Sequence, residues 1–319
     1  MTQAGGVNRY EPFRVPVRGG ELAGGVWNPH ARGMPVLAVH GISASHRTWP
    51  LLAEALPNVR IIAPDLRGRG RSNVLPAPWG IRDHADDMAA VLDAFGVQLA
   101  VVVGHSMGGF VAVRTADQHP DRVAALVLLD GGLPIPFTVP DDVPAEELPS
   151  YLLGPAGERL SRVFPSREAY AEFWRGHPAF RGNWNDHIAE YVDYDLDEVD
   201  GGFRPSSRFD AVATNIVQQD GGDGYLDALR RLRVPVDFLR APRGLTDGPP
   251  LYADQVVDAA ARPIGNFRRH EIDDVNHYSL VLTEQGMRQV APIVRDAVDG
   301  TGTPPRASTP EKEDEVERE

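Results

Sequence analysis

Short β-like runs recur along this chain: VLAVH (36–40), RIIAP (60–64), LAVVV (99–103), AALVLLD (124–130), VPVDFL (234–239) and FRRHEI (267–272). Between them, the segments near 47–56, 82–95, 107–118, 251–261 and 284–298 place apolar residues at helical spacing. Such alternation predicts an α/β fold with a mostly parallel, doubly wound sheet covered by helices. The stretches FRVPV and LAGGVW near the start are expected to form an antiparallel edge. From residue 131 to 233 the rhythm is lost, and it resumes at VPVDFL. The expected organisation is therefore an N-terminal arm (1–11), a core in two pieces (12–136 and 221–299), an inserted helical cap (137–220) and a tail (300–319).

Aromatic content singles out the insertion. Between Phe137 and Phe209 lie two of the five Trp, four of the eight Tyr and six of the eleven Phe. Such a segment packs a small core of its own, walls a substrate, or both. Trp174, Trp184 and Tyr191 are the candidates for a substrate wall. The tail is a different matter: PEKEDEVERE carries mostly acidic residues after a Pro- and Thr-rich stretch, and is expected to be disordered and solvated.

Composition narrows the classes of function. The chain has 319 residues, enough for a full core, and no apolar stretch approaches the ~18 residues that span a bilayer. The net charge of −13 argues against a nucleic-acid partner, which would call for clustered Lys and Arg. The absence of cysteine excludes thiolate catalysis, disulfides and cysteine-ligated metals. The first residues, MTQAGGVNRYEPF, have neither a basic start nor an apolar centre, so they do not read as a secretory signal, and a cytoplasmic location is expected.

The candidate chemistry centres on Gly104-His105-Ser106-Met107-Gly108, which fits G-x-S-x-G between a β-like and a helix-like run. A chain turning this sharply from strand to helix needs small residues beside the serine and exposes its hydroxyl. Ser106 is the expected nucleophile. The Met107 N–H, at a helix start, is placed to hold an oxyanion. The second donor is expected from the loop His40-Gly41-Ile42-Ser43, through the Ile42 N–H, with His40 shaping that loop rather than acting as a base.

Three motifs in this order, HGIS, DLRGRGRS and GHSMGG, make the chain resemble the α/β-hydrolase superfamily over residues 12–298 outside the cap. In DLRGRGRS, Asp65 opens a loop that in the family shapes the site's surroundings, and its arginines read as structural or solvated. The family order of serine, acid and histidine implies a base in the loop after the last strand, where FRRHEIDDVNHYSL offers His277. His177, His187 and His270 have ordinary packing or surface explanations and form no metal set.

The acid departs from the commonest family pattern. The loop after the penultimate strand reads LRAPRG, with Gly244 where the carboxylate is usual and Asp247 three residues later. The preferred acid is Asp130, at the end of AALVLLD, because some members, among them certain dehalogenases and the zearalenone lactonases, carry their acid there. Asp247 is the alternative. Either would orient the imidazole and stabilise its cation.

A serine at position 106, where dehalogenases and epoxide hydrolases use a carboxylate, points to a cofactor-free and metal-free hydrolysis of a small-molecule ester or lactone. The resemblance also makes a bulky aromatic lactone of the zearalenone type an expected substrate. Other readings of the same fold are a ligand receptor with little turnover, a C–C bond hydrolase, and a cofactor-free oxygenase or peroxidase.

Overall fold

A computed structural model describes residues 10–140 and 142–300. The strands are β1 (Tyr10–Val17), β2 (Gly20–Trp27), β3 (Val36–Val39), β4 (Ile61–Pro64), β5 (Ala100–His105) and β6 (Val123–Leu129), then β7 (Leu196–Val199), β8 (Gly202–Pro205), β9 (Val236–Arg240) and β10 (Phe267–Glu271). Eight of them form one sheet in the order β1-β2-β4-β3-β5-β6-β9-β10. β1 and β2 are an antiparallel hairpin, and β2 joins β4 antiparallel. Every other pairing in that sheet is parallel.

The helices are α1 (Pro50–Ala55), α2 (Ile81–Ala94), α3 (Met107–Gln118), α4 (Leu148–Leu153), α5 (Pro155–Ser161) and α6 (Arg167–Gly176). They continue with α7 (Asp186–Tyr194), α8 (Phe209–Ile216), α9 (Tyr225–Arg231), α10 (Asp254–Ala261), α11 (Ser279–Leu282) and α12 (Glu284–Gly300). The sheet is buried on both faces, so a strand such as β5 is apolar throughout and alternates its side chains between two layers. Ala100 and Val102 join the layer of α2, α3, α9 and α10, whereas Val101 and Val103 join that of α1, α11 and α12.

β1 begins at Tyr10, inside the stretch expected as an N-terminal arm, because Tyr10 pairs with Trp27 across the hairpin. Gly300 closes α12. The rest of the expected arm and the acidic tail lie outside the described residues.

The segment between β6 and β9 holds α4 to α8 and the β7–β8 hairpin, followed by α9, which packs on α3. Two of its helices, α6 and α7, start on side-chain caps: Ser166 Oγ accepts from Ala169 N at 3.1 Å and Asn185 Oδ1 from Ile188 N at 2.9 Å. Phe164, Tyr170, Trp174, Phe180 and Tyr191 are continuous with the layer of α1, α11 and α12. The insertion thus shares its core with the sheet's helices.

The DLRGRGRS loop ties the insertion to the sheet. Asp65 is fully buried and accepts from His46 N, His46 Nδ1 and Arg71 N, and from the Tyr194 hydroxyl of α7. Burial alone would raise its pKa, but His46 and these donors hold the carboxyl well below the usual range. Arg67 is buried on Asp87 through a two-pronged pair, both contacts at 2.6 Å. Buried Arg69 donates to Ile42 O at 2.9 Å and to Asn215 Oδ1 of α8 at 2.7 Å. Burial pushes the Arg69 guanidinium down to about 9. Arg71 reaches Asp197 of β7 at 2.9 Å.

Candidate active site

The parallel register aligns Val39 with Gly104 and His105 with Leu129, so β3, β5 and β6 end side by side. Ser106 sits in the turn from β5 into α3 with φ +56° and ψ −126°. A non-glycine residue at positive φ is strained, and that strain turns the side chain out of the sheet. Close approach explains the flanking glycines: a Cβ on Gly104 would stand 2.3 Å from Gly108 O, and one on Gly108 2.1 Å from Val39 O. Any larger residue at either position would force the strand and helix apart.

Met107 is the first residue of α3, so its N–H has no acceptor within the helix. Ile42 lines the same cavity as Ser106, and its carbonyl is fixed by Arg69. His40 is buried in that loop. Its Nδ1 donates to Gly41 O at 2.8 Å and its Nε2 accepts from Leu66 N at 2.9 Å. Burial pushes its pKa down to about 4, which suits a neutral side chain holding a loop.

His277 Nδ1 lies 2.7 Å from Asp130 Oδ2, with both side chains buried. This leaves Nε2 for the cavity that Ser106 also lines. Asp130 ends its strand at φ +46°, and its other oxygen accepts from Ala241 N at 3.3 Å. Its own N–H donates to Leu239 O at 2.8 Å. Asp247 lies elsewhere, on the surface with Arg243 Nε at 2.7 Å. It also accepts from Asn276 Nδ2 at 3.1 Å, one residue short of the imidazole. These donors lower its pKa, Asn276 most.

Several residues without a role in the sequence reading complete the arrangement. His105 Nε2 donates to His277 O at 2.9 Å and its ring packs 4.7 Å from the imidazole. Burial drives its pKa well down, with His277 nearby adding to the effect, so His105 is neutral. Asn276 Oδ1 accepts from Tyr278 N and Ser279 N, which turns the chain into α11 directly after the histidine. An Asn before His277 is the one local sign of this that the sequence carries.

The cavity is bounded by Ile42, Ala44, Leu245, Val281 and Leu282, with Tyr191 and Tyr278 among its polar-tipped walls. Of the three aromatic residues expected as a substrate wall, Tyr191 alone is there. Trp174 is packed edge-on against Tyr170, Phe180 and Tyr278, and Trp184 lies half-buried under the Arg175 guanidinium at 4.6 Å. Neither tryptophan lines this cavity; Trp174 belongs to the core layer of α1, α11 and α12, and Trp184 packs against it. The cavity is about 40 Å³, on a measure where one water takes roughly 10–15 Å³.

Among the described residues, no group of three or more His, Asp or Glu side chains is placed to hold a metal ion. None of their helices is long and apolar enough to cross a membrane. His270 pairs with Asp237 at 2.7 Å, and His187 lies 3.6 Å from Glu54.

A family model described as alpha/beta hydrolase fold matches residues 34–165. Lipase LipV of Mycobacterium tuberculosis is 52% identical over 95 residues, which span 30% of this chain and 36% of that protein. A serine hydrolase-like protein of Danio rerio is 31% identical over 261 residues, 76% of either chain. Among solved structures, the thioesterase domain from the curacin biosynthetic pathway superposes with a TM-score of 0.71 at 21% identity, covering 90% of this chain and all of that one.

Proposed function

This chain belongs to the α/β-hydrolase family, and from that premise we propose that it is a serine hydrolase cleaving short-acyl carboxylic esters or small lactones. The observation that carries the reading is the buried Asp130–His277 pair at 2.7 Å, opening onto the cavity that Ser106 lines from a strained turn. His277 Nε2 removes the Ser106 proton as Oγ attacks the ester carbonyl carbon. The carbonyl oxygen becomes an oxyanion between the Ile42 and Met107 N–H groups. On collapse the bond to the leaving oxygen breaks and His277 returns the proton to it as an alcohol. A water deprotonated by the same imidazole then releases the acid and restores Ser106. In a lactone, alcohol and acid stay in one molecule. Asp130 keeps the Nδ1 proton in place and stabilises the imidazolium.

Cavity size supports small acyl groups over bulky ones, and its apolar wall of Ala44, Val281 and Leu282 supports an uncharged acyl chain. Fluorophosphonate labelling followed by turnover of p-nitrophenyl and lactone substrates, with product masses recorded, tests the reading. Wild-type turnover lost at least ~10³-fold in Ser106→Ala and in His277→Ala, with the double variant little worse, is the expected result. Labelling without sustained turnover would point to a ligand receptor of the same fold. Ser106→Ala turning over at the wild-type rate would overturn the assignment.

A further inference from the structure

Arg159 of α5 is a cation inside the insertion, 4% exposed. One terminal nitrogen, Nη1, donates to the Tyr170 hydroxyl and to Asp195 Oδ2, the latter at 3.0 Å. The Asp195 carboxylate also accepts from the Tyr170 hydroxyl at 2.5 Å and from Ser206 Oγ at 3.1 Å, while its main-chain carbonyl accepts from Ser206 N at 2.6 Å. The Trp174 ring lies 4.9 Å from the guanidinium carbon. The charge is therefore compensated and its orientation set. Its other terminal nitrogen, Nη2, leaves the insertion and donates to Ser43 Oγ at 3.1 Å.

Ser43 follows Ile42 in the oxyanion loop and lines the cavity shared by Ser106 and His277. A guanidinium has five donors and no acceptor, so a hydroxyl that accepts from it must aim its own proton elsewhere. A hydrogen bond from a cation also strengthens that hydroxyl as a donor. During the proposed reaction the acceptor that gains charge in this cavity is the substrate's carbonyl oxygen.

We propose that Ser43 is a further side-chain donor to the reacting acyl oxygen, and that Arg159 is the positioning residue that sets the direction of its proton. The inference rests on the serine-hydrolase reading and deepens it. The oxyanion site is complete only while the insertion seats Arg159 on Ser43, so the insertion contributes to turnover as well as to the cavity wall.

The test is steady-state hydrolysis of p-nitrophenyl acetate by the full chain, with melting temperature measured for each variant. A donor used in the transition state lowers kcat on removal and leaves KM nearly alone. Ser43→Ala should lower kcat about 10²-fold, the usual loss for one oxyanion donor, with KM within about threefold. Ser43→Thr, which keeps the hydroxyl, should recover most of that loss. Arg159→Met should lower kcat comparably, and the double variant should be no worse than the larger single loss. If Arg159→Met does not fold, the two Ser43 variants decide alone. Ser43→Ala with wild-type kcat, or Ser43→Thr as slow as Ser43→Ala, would overturn the proposal and leave the hydrolase reading standing. A wild-type protein without Ser106-dependent turnover would instead overturn the hydrolase reading and this proposal with it.

Discussion

Asp130 and Asp247 are the same side chain in two environments, and only one is built to work on an imidazole. Asp130 is fully buried, held at positive φ by its own N–H and by Ala241 N, and touches His277 Nδ1. Asp247 is solvent-facing and already divided between Arg243 and Asn276. Asp130→Asn keeps the shape but removes the charge that selects the histidine tautomer, so kcat should fall by about 10⁴-fold. Asp247→Asn should stay within a few-fold of wild type. Both variants assayed on one ester, at matched melting temperature, check this. A collapse of Asp247→Asn beside an active Asp130→Asn would mean that the acid had been assigned to the wrong loop.

At the level of elements, β5 and α3 position Ser106, the proposed nucleophile, while α7 and α11 border the cavity it lines. Tyr191 of α7 borders the cavity from the insertion, and Val281 and Leu282 of α11 border it from the core. Trp184, between α6 and α7, packs away from it. Tyr191→Leu should therefore open room for longer acyl chains, raising kcat/KM for butyrate relative to acetate esters roughly tenfold, as expected for one or two methylenes in an apolar pocket. Trp184→Ala should leave that ratio unchanged. An equal shift in the two variants would show that the insertion acts as a whole rather than through Tyr191.

For the whole molecule, the buried histidines make stability sensitive to acid. Burial lowers the pKa of His40 to about 4 and those of His84 and His105 well below the ordinary histidine value. In the unfolded chain these rings take up protons near pH 6.5, whereas in the folded protein His40 resists until about pH 4. The unfolded state thus binds more protons between those values, and unfolding free energy falls as the pH is lowered through them. His40 alone accounts for about 3 kcal/mol of that fall. Urea midpoints measured from pH 7.5 to 4.5 should drop, and His40→Gln should flatten the slope. Parallel curves for the two proteins would show that His40 titrates alike in both states.

Sequence by itself determined the sheet and its helices, because burial on both faces demands apolar runs such as VLAVH and AVVV and helical spacing such as that of residues 82–95. It also marked Ser106, since a turn this tight admits only small neighbours, and those neighbours are visible as Gly104 and Gly108. Only the tertiary structure decided which carboxylate meets His277. Asp130 is 147 residues away along the chain and reaches it because β6 lies beside β9 and β9 beside β10, whose following loop carries His277, while the nearer Asp247 falls on Asn276. The same holds for the insertion. Aromatic enrichment read alike as wall or packing, and Arg159 had no local pattern to distinguish it from a surface cation. Its burial against Asp195, Tyr170 and Ser43 comes from three segments folding over one another, and a contact of that kind leaves no periodicity in the sequence.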